Sequence, residues 1–137
     1  MPALTIPLAT LWLGQAENDL AFARHALDGA FFHQVCFVAQ QAAGKALKAA
    51  HFAGGARTVL RHSLVGLLER LIPDHAVLES LRDLAAELDL YYVPTRYPNG
   101  LVEGMPYEVF TRTQAVRALT AAETILAAVR EEIAARY

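Results

Sequence analysis

Apolar residues recur at every third or fourth position along most of this chain, a spacing that favours α-helices and leaves little room for strands. One such series predicts a first helix over residues 8–28, and a second helix is predicted over residues 30–53. The first series consists of Leu13, Ala16, Leu20, Ala23 and Leu27. The second helix carries two apolar stripes, which is typical of a helix that packs against more than one neighbour at the centre of a bundle.

Three further helices are predicted in the rest of the chain. The third covers residues 62–72, and the fourth begins at a cap on Asp74 and ends at Tyr91-Tyr92. The last is long: it begins with Pro106 in its first turn and runs to residue 135. Because no segment alternates as a strand would, the sequence predicts an all-α, up-and-down bundle of four or five helices.

The length and composition predict one apolar, self-associating domain over residues 1–137. Hydrophobic residues make up 55% of the chain and charged residues only 19%, below the roughly 25% of average soluble domains. This apolar surface exceeds what a small monomer hides easily, which indicates a protein that associates with itself. Twelve basic and 14 acidic residues exclude a protein that coats nucleic acid through bulk positive charge. Any contact with nucleic acid must therefore come from a local site.

No targeting, membrane or metal signal stands out. The N-terminus lacks a basic start followed by a long apolar segment, and glutamines and lysines interrupt the most apolar stretch, residues 31–56. The single cysteine, Cys36, excludes a disulfide scaffold and is expected to be a small buried hydrophobe. The histidines are scattered, without a Glu-x-x-His pair, and no glycine-rich phosphate loop is present. We therefore expect a cytoplasmic protein without metal or cofactor.

A polar stripe follows one face of the second helix. It contains Gln34, Gln41, Lys45 and Lys48, and these two lysines are the only ones in the chain. Two cations one turn apart can bind phosphate as point charges. The alternative is an ordinary solvated face. Asp19, on the first helix, is expected to hydrogen-bond a neighbouring helix end or an arginine.

A long irregular segment between the fourth and last helices forms a second candidate site. It follows Tyr92 and contains Arg96 and Tyr97, with prolines that stiffen it. Aromatic rings can stack on bases, and a guanidinium can grip a phosphate with two hydrogen bonds. The alternative is that the tyrosine rings close the end of the bundle while Arg96 pairs with a carboxylate.

Arg57 and His62, separated by four residues, form the third candidate. An imidazole can move protons near neutral pH while a guanidinium neutralises a phosphorane, which suits RNA cleavage without metal. The alternative is a chance spacing. Arg70 and His75 have the same separation, in a stretch that Pro73 interrupts.

Four segments carry a combination of residues that points to one family. They are residues 16–20 (AENDL), 37–48 (FVAQQAAGKALK), 62–64 (HSL) and 92–98 (YVPTRYP). In this order they resemble the HEPN domain family (higher eukaryotes and prokaryotes nucleotide-binding), and the resemblance spans residues 8–135.

The resemblance implies a compact helical bundle that is commonly dimeric, and together with the apolar composition it leads us to expect a homodimer. Members often work beside a small nucleotidyltransferase as a toxin–antitoxin pair. Many are ribonucleases with an Arg-x4–6-His motif that dimerisation brings together in two copies, whereas others bind RNA or nucleotides without catalysis. The family's recurring polar positions fall on Gln41, Lys45, Lys48, His62, Arg96 and Tyr97.

The sequence therefore predicts a HEPN-type protein that binds RNA or a nucleotide. If the protein is catalytic, we expect the ribonuclease toxin of a pair with a nucleotidyltransferase. In that case His62 transfers protons and Arg57 or Arg96 contacts the phosphate. The alternative is a non-catalytic module that docks on a nucleotidyltransferase or another protein. Two departures from the family pattern favour the module: Gly44 stands where a glutamate is usual, and Thr58 stands where a more polar residue usually follows the motif arginine.

Overall fold

A computed structural model describes residues 2–60, 63–92 and 104–137, with the backbone alone for residues 2–6 and 106. These ranges are helical and contain no strand. The α-helices are α1 (Pro2–Asp28), α2 (Phe32–Ala53), α3 (Leu64–Leu71), α4 (Arg82–Asp89), α5 (Pro106–Val109) and α6 (Arg112–Arg136), and a 3-10 helix covers Ala76–Leu81. Within them, no helix is long and apolar enough to cross a membrane. The predicted helical bundle is confirmed.

The helices α1 and α2 form an antiparallel hairpin. A short turn joins them, in which Ala30 takes a left-handed backbone conformation with φ of 63°. Trp12, in the first half of α1, stacks on Phe52 in the last turn of α2 with 5.7 Å between ring centroids. Asp19, later in α1 than Trp12, pairs with Lys45, which comes earlier in α2 than Phe52. The order of these two contacts fixes the antiparallel direction.

The last helix, α6, runs antiparallel to α1 and completes the central layer. Arg24 pairs with Glu123 at 2.9 Å, and Glu17 pairs with Arg130 at 2.6 Å, so positions later in α1 meet positions earlier in α6. Both pairs are exposed, and such pairs contribute about 1 kcal/mol or less. The orientation therefore depends on apolar burial between the helices rather than on these charges.

The core is centred on α2, as the two apolar stripes predict. Side chains on several sides of this helix are buried, and small alanines let α1 and α6 approach it closely. The buried residues include Val35, Cys36, Ala39, Ala42, Ala43, Ala46, Leu47, Ala49 and Ala50. Cys36 has no exposed surface, which confirms its expected burial.

The predicted cap of the fourth helix is wrong. The backbone amides of Asp74 and His75 bond to the carbonyl of Leu71, so the turn at residues 72–74 continues from the end of α3. The next element begins after His75 as a 3-10 helix without a side-chain cap and becomes α-helical only at Arg82. The carbonyl of Asp74 instead accepts a hydrogen bond from Arg136.

The predicted last helix is interrupted near its start. Pro106 begins the separate four-residue helix α5, and Phe110 is then buried against Tyr91 with 6.0 Å between ring centroids. A capping box restarts the helix: the Thr111 hydroxyl accepts from the Gln114 amide, and the Gln114 side chain accepts from the Thr111 amide. The interruption occurs because burial of Phe110 and this cap compete successfully with a continuous helix.

Candidate functional site

Lys45 is held against α1 by an ion pair. Its Nζ donates to Asp19 Oδ2 at 2.6 Å, and Asp19 also accepts a hydrogen bond from Gln15 at 3.0 Å. The expected partner of Asp19 was a helix end or an arginine, so that expectation is wrong. A lysine of the neighbouring helix reaches it because α1 and α2 run antiparallel. An ammonium has three donors, and this pair uses one of them, which leaves donors for an anionic ligand.

Lys48 also faces α1. Its Nζ lies 5.5 Å from the centroid of the Trp12 ring, within the range of a cation–π interaction. Burial lowers the pKa of Lys48, and the charge of Lys45 lowers it further. The polar stripe of α2 is therefore more than a solvated face, since both lysines have defined partners on α1.

A chain of polar side chains connects the same helix to the start of α3. Gln41 donates to Gln40 at 2.6 Å, and the buried Gln40 donates to Asp89 at 3.3 Å. The Asp89 carboxylate accepts from the backbone amides of Leu64 at 2.8 Å and Val65 at 3.1 Å. The N-terminus of α3 is thus tied to the middle of α2 through residues distant in sequence.

Sequence reasoning missed both Asp89 and Gln40. One signal could have identified Asp89: it is the last residue of α4, where a negative charge is unfavourable for the helix dipole. A carboxylate in such a place indicates a role outside its own helix. Asp89 also accepts from the hydroxyl of Ser63, the N-cap of α3 and the residue that follows His62 in the chain.

Tyr92 lies beside the same face of α2. Its ring is 6.1 Å from the ring of Phe37, centroid to centroid, with a tilt of 39°. Phe37 precedes Gln41 by one turn and Lys45 by two, so the three side chains lie along one stripe. Tyr91 has a different role, because it is buried against Phe110. This burial agrees with the alternative that the tyrosine rings close the end of the bundle.

The candidates Gln41, Lys45, Lys48 and Tyr92 are therefore brought to one side of α2. Arg57 is not joined to them: it is exposed in the loop after α2, and it has no hydrogen bond or ion pair with any other described residue. The remaining candidates, His62, Arg96 and Tyr97, lie outside the described residues.

Gly44 marks the closest approach of α3 to α2. A Cβ at this position would lie 3.3 Å from Leu64 Cδ2, which is tighter than ordinary contact. Any larger residue here would require the Leu64 side chain, at the start of α3, to shift by a few tenths of an ångström. The departure from the family pattern noted in the sequence therefore lies where α2 and α3 pack against each other.

This all-helical arrangement has close counterparts among known proteins. The sequence profile of the HEPN domain matches residues 9–132, which is most of the chain. The chain belongs to the HEPN domain family. No curated protein matches it.

Solved structures resemble this HEPN protein over nearly their whole length. The crystal structure of TT1696 from Thermus thermophilus is 42% identical with a TM-score of 0.85, covering 90% of this chain and 96% of that one. ST0689, an archaeal HEPN homologue, is 36% identical with a TM-score of 0.74, covering 91% and 97%. A HEPN domain protein of Thermotoga maritima, TM0613, is 32% identical with a TM-score of 0.71, covering 92% and 98%.

Proposed function

We propose that this HEPN protein binds RNA or a nucleotide along the stripe of α2 that carries Phe37, Gln41 and Lys45. The observation that carries the proposal is the placement of the Tyr92 ring beside one end of the stripe and the Lys45 ammonium farther along it. Phe37 and Lys45 are eight residues apart, or about 12 Å along the helix. The aromatic ring can stack on a base, and the cation can bind a phosphate of the same ligand.

Asp19 fits this proposal because it positions Lys45 without consuming all its donors. The short Nζ–Oδ2 contact keeps the ammonium in one orientation, so less rotamer entropy is lost when a phosphate binds. Gln41 lies one turn away, and its amide can contact a base edge or a ribose hydroxyl. The site is therefore local, which agrees with a net charge of −2 over the whole chain.

Binding is tested by fluorescence anisotropy with a labelled single-stranded RNA. Tyr92→Leu removes a stacking ring and Lys45→Met removes the cation while retaining much of its volume; we expect each to weaken binding about tenfold or more. Arg24→Gln is the matched control, because it removes an exposed cation from another side of α1. Equal losses in all three variants, or no loss in the first two, would contradict the proposed face.

Cleavage and partnership remain predictions from the family resemblance. The catalytic form is a ribonuclease toxin with a nucleotidyltransferase partner, in which His62 transfers protons and Arg57 or Arg96 contacts the phosphate. RNA decay that persists in a chelator and disappears in His62→Ala would support it, whereas decay that stops with the chelator would refute the metal-free mechanism. A stable complex with a nucleotidyltransferase without RNA decay would favour the docking module. Sedimentation of the purified chain tests the expected homodimer.

A further inference from the structure

A second polar cavity lies at the C-terminal end of α2, where α3 and the end of α6 meet it. It has a volume of about 400 Å³. The polar side chains that line it include His51, Arg70, His75, Arg136 and Tyr137. None of these residues belongs to the binding face proposed above. Arg70 and His75, whose spacing in the sequence has chance as its simplest explanation, here line the same cavity.

One wall of the cavity is a fixed hydrogen-bond network. The buried His75 contacts Glu132 through Nδ1 at 2.7 Å, and its Nε2 lies 3.4 Å from the Tyr137 hydroxyl. Arg136 donates to the same Glu132 at 3.3 Å and to the carbonyl of Asp74. Glu132 thus accepts from both the imidazole and the guanidinium and holds them in place.

The cavity lining also includes a cation without a described partner. Arg70 is exposed and makes no hydrogen bond or ion pair with any other described residue. Beside it, His51 contacts the Leu67 carbonyl at 2.9 Å through Nε2. Burial lowers the pKa of His51, and the positive charges of Arg70 and His75 lower it further, although the Leu67 contact opposes them. The cavity is thus lined by the guanidinium groups of Arg70 and Arg136 and by one exposed carboxylate, that of Asp74.

An adjoining hollow of about 340 Å³ is more apolar. It shares His51 and Arg70 with the first cavity and is otherwise lined mainly by Val59, Leu60 and Leu67. The two spaces therefore meet at the same imidazole and guanidinium. Together they offer a cationic end for an anion and an apolar end for a carbon skeleton.

We propose that this pair of cavities binds a small phosphate monoester. Arg70 contacts the phosphate, and Arg136 can add the Nη1 group that its bonds to Glu132 and to the Asp74 carbonyl do not use. His51 and His75 line the same anion site, and the organic group lies against Val59. Guanidinium groups match phosphate geometry with paired hydrogen bonds, and the volume is in the range of small-ligand pockets, well above that of a bare anion. This site is independent of the RNA-binding face.

The test is a titration of the full chain with phenyl phosphate and with inorganic phosphate, followed by NMR of the histidine rings. We expect saturable shifts of His51 and His75 and tighter binding of phenyl phosphate. His25 and His33 are internal controls, since His33 lies 18 residues before His51, about 27 Å along α2. Shifts of equal size at His25, His33, His51 and His75, or no saturable shift, would overturn the site. If inorganic phosphate bound as tightly as phenyl phosphate, the proposal that the ligand is a phosphate monoester would be refuted.

Variants separate this site from general charge effects and from the proposed RNA-binding face. Arg70→Gln should weaken phenyl phosphate binding about tenfold or more, and it should fold normally because the side chain is exposed. Arg24→Gln and Lys45→Met should retain wild-type affinity. If Arg24→Gln weakened phenyl phosphate binding as much as Arg70→Gln does, the site would be refuted. If Lys45→Met lost RNA binding but kept phenyl phosphate binding, the two sites would be shown to be independent.

Discussion

Replacing Asp89 should destabilise the protein far more than its place at the end of a short helix indicates. Its carboxylate accepts from the amides of Leu64 and Val65, from the Ser63 hydroxyl and from Gln40, at 2.8 to 3.3 Å. A lost N-cap alone costs about 1 kcal/mol, and hydrogen bonds to a charged group contribute about 1.5–3 kcal/mol each but do not add fully. We therefore expect Asp89→Ala to lower the free energy of unfolding by about 2–4 kcal/mol.

Urea unfolding followed by circular dichroism measures this loss. Asp89→Asn retains one acceptor oxygen and should lose about half as much. Asp83→Asn, the same change at an exposed site in the first turn of α4, is the matched control and should cost well under 1 kcal/mol. If Asp89→Ala lost no more stability than the control, Asp89 would not anchor α3, and the link between α2 and the N-terminus of α3 would be refuted.

Two further predictions concern titratable side chains. The hydrogen bond from His75 lowers the pKa of Glu132 below its ordinary 4.5, so this carboxylate stabilises the fold above that pH and loses its effect as the pH falls. In urea titrations the stability gap between wild type and Glu132→Gln should narrow below pH 4.5; a constant gap would contradict the assignment. Burial raises the pKa of Cys36 to about 12. At pH 8, Cys36 in the folded chain should react with a thiol reagent at least about a hundredfold more slowly than Cys36 in the chain unfolded by urea. Fast labelling of the folded chain would refute this prediction.

The sequence predicted which residues of the candidate site share a face, but not what they contact. Gln41, Lys45 and Lys48 recur at helical spacing, and the period of the helix alone places them on one side of α2. Their partners Asp19 and Trp12 depend on how far α1 is shifted along α2, and no local pattern encodes that shift. The pairing of Lys45 with an acid was therefore outside the reach of sequence reasoning.

Helix ends were predicted less well than helix faces because several local signals compete at an end. Asp74 is a good cap in isolation, yet its backbone amide bonds to the end of α3 and the next element begins after it. Pro106 is a good first-turn residue, yet burial of Phe110 and the capping box at Thr111 restart the helix five residues later. In both places the residue at which the helix begins depends on contacts that form only when the helices have packed.

By itself the sequence determined a helical bundle with α2 at its centre, because burial of an apolar stripe depends on a period that local spacing already contains. Only the tertiary structure decided which charges are matched and which remain available. Lys45 is matched by Asp19, and Asp89 is used at the start of α3, whereas Arg70 borders a cavity without a partner among the described residues. The physical reason is that these pairings join residues far apart in the chain, so they exist only once the helices have fixed their relative positions.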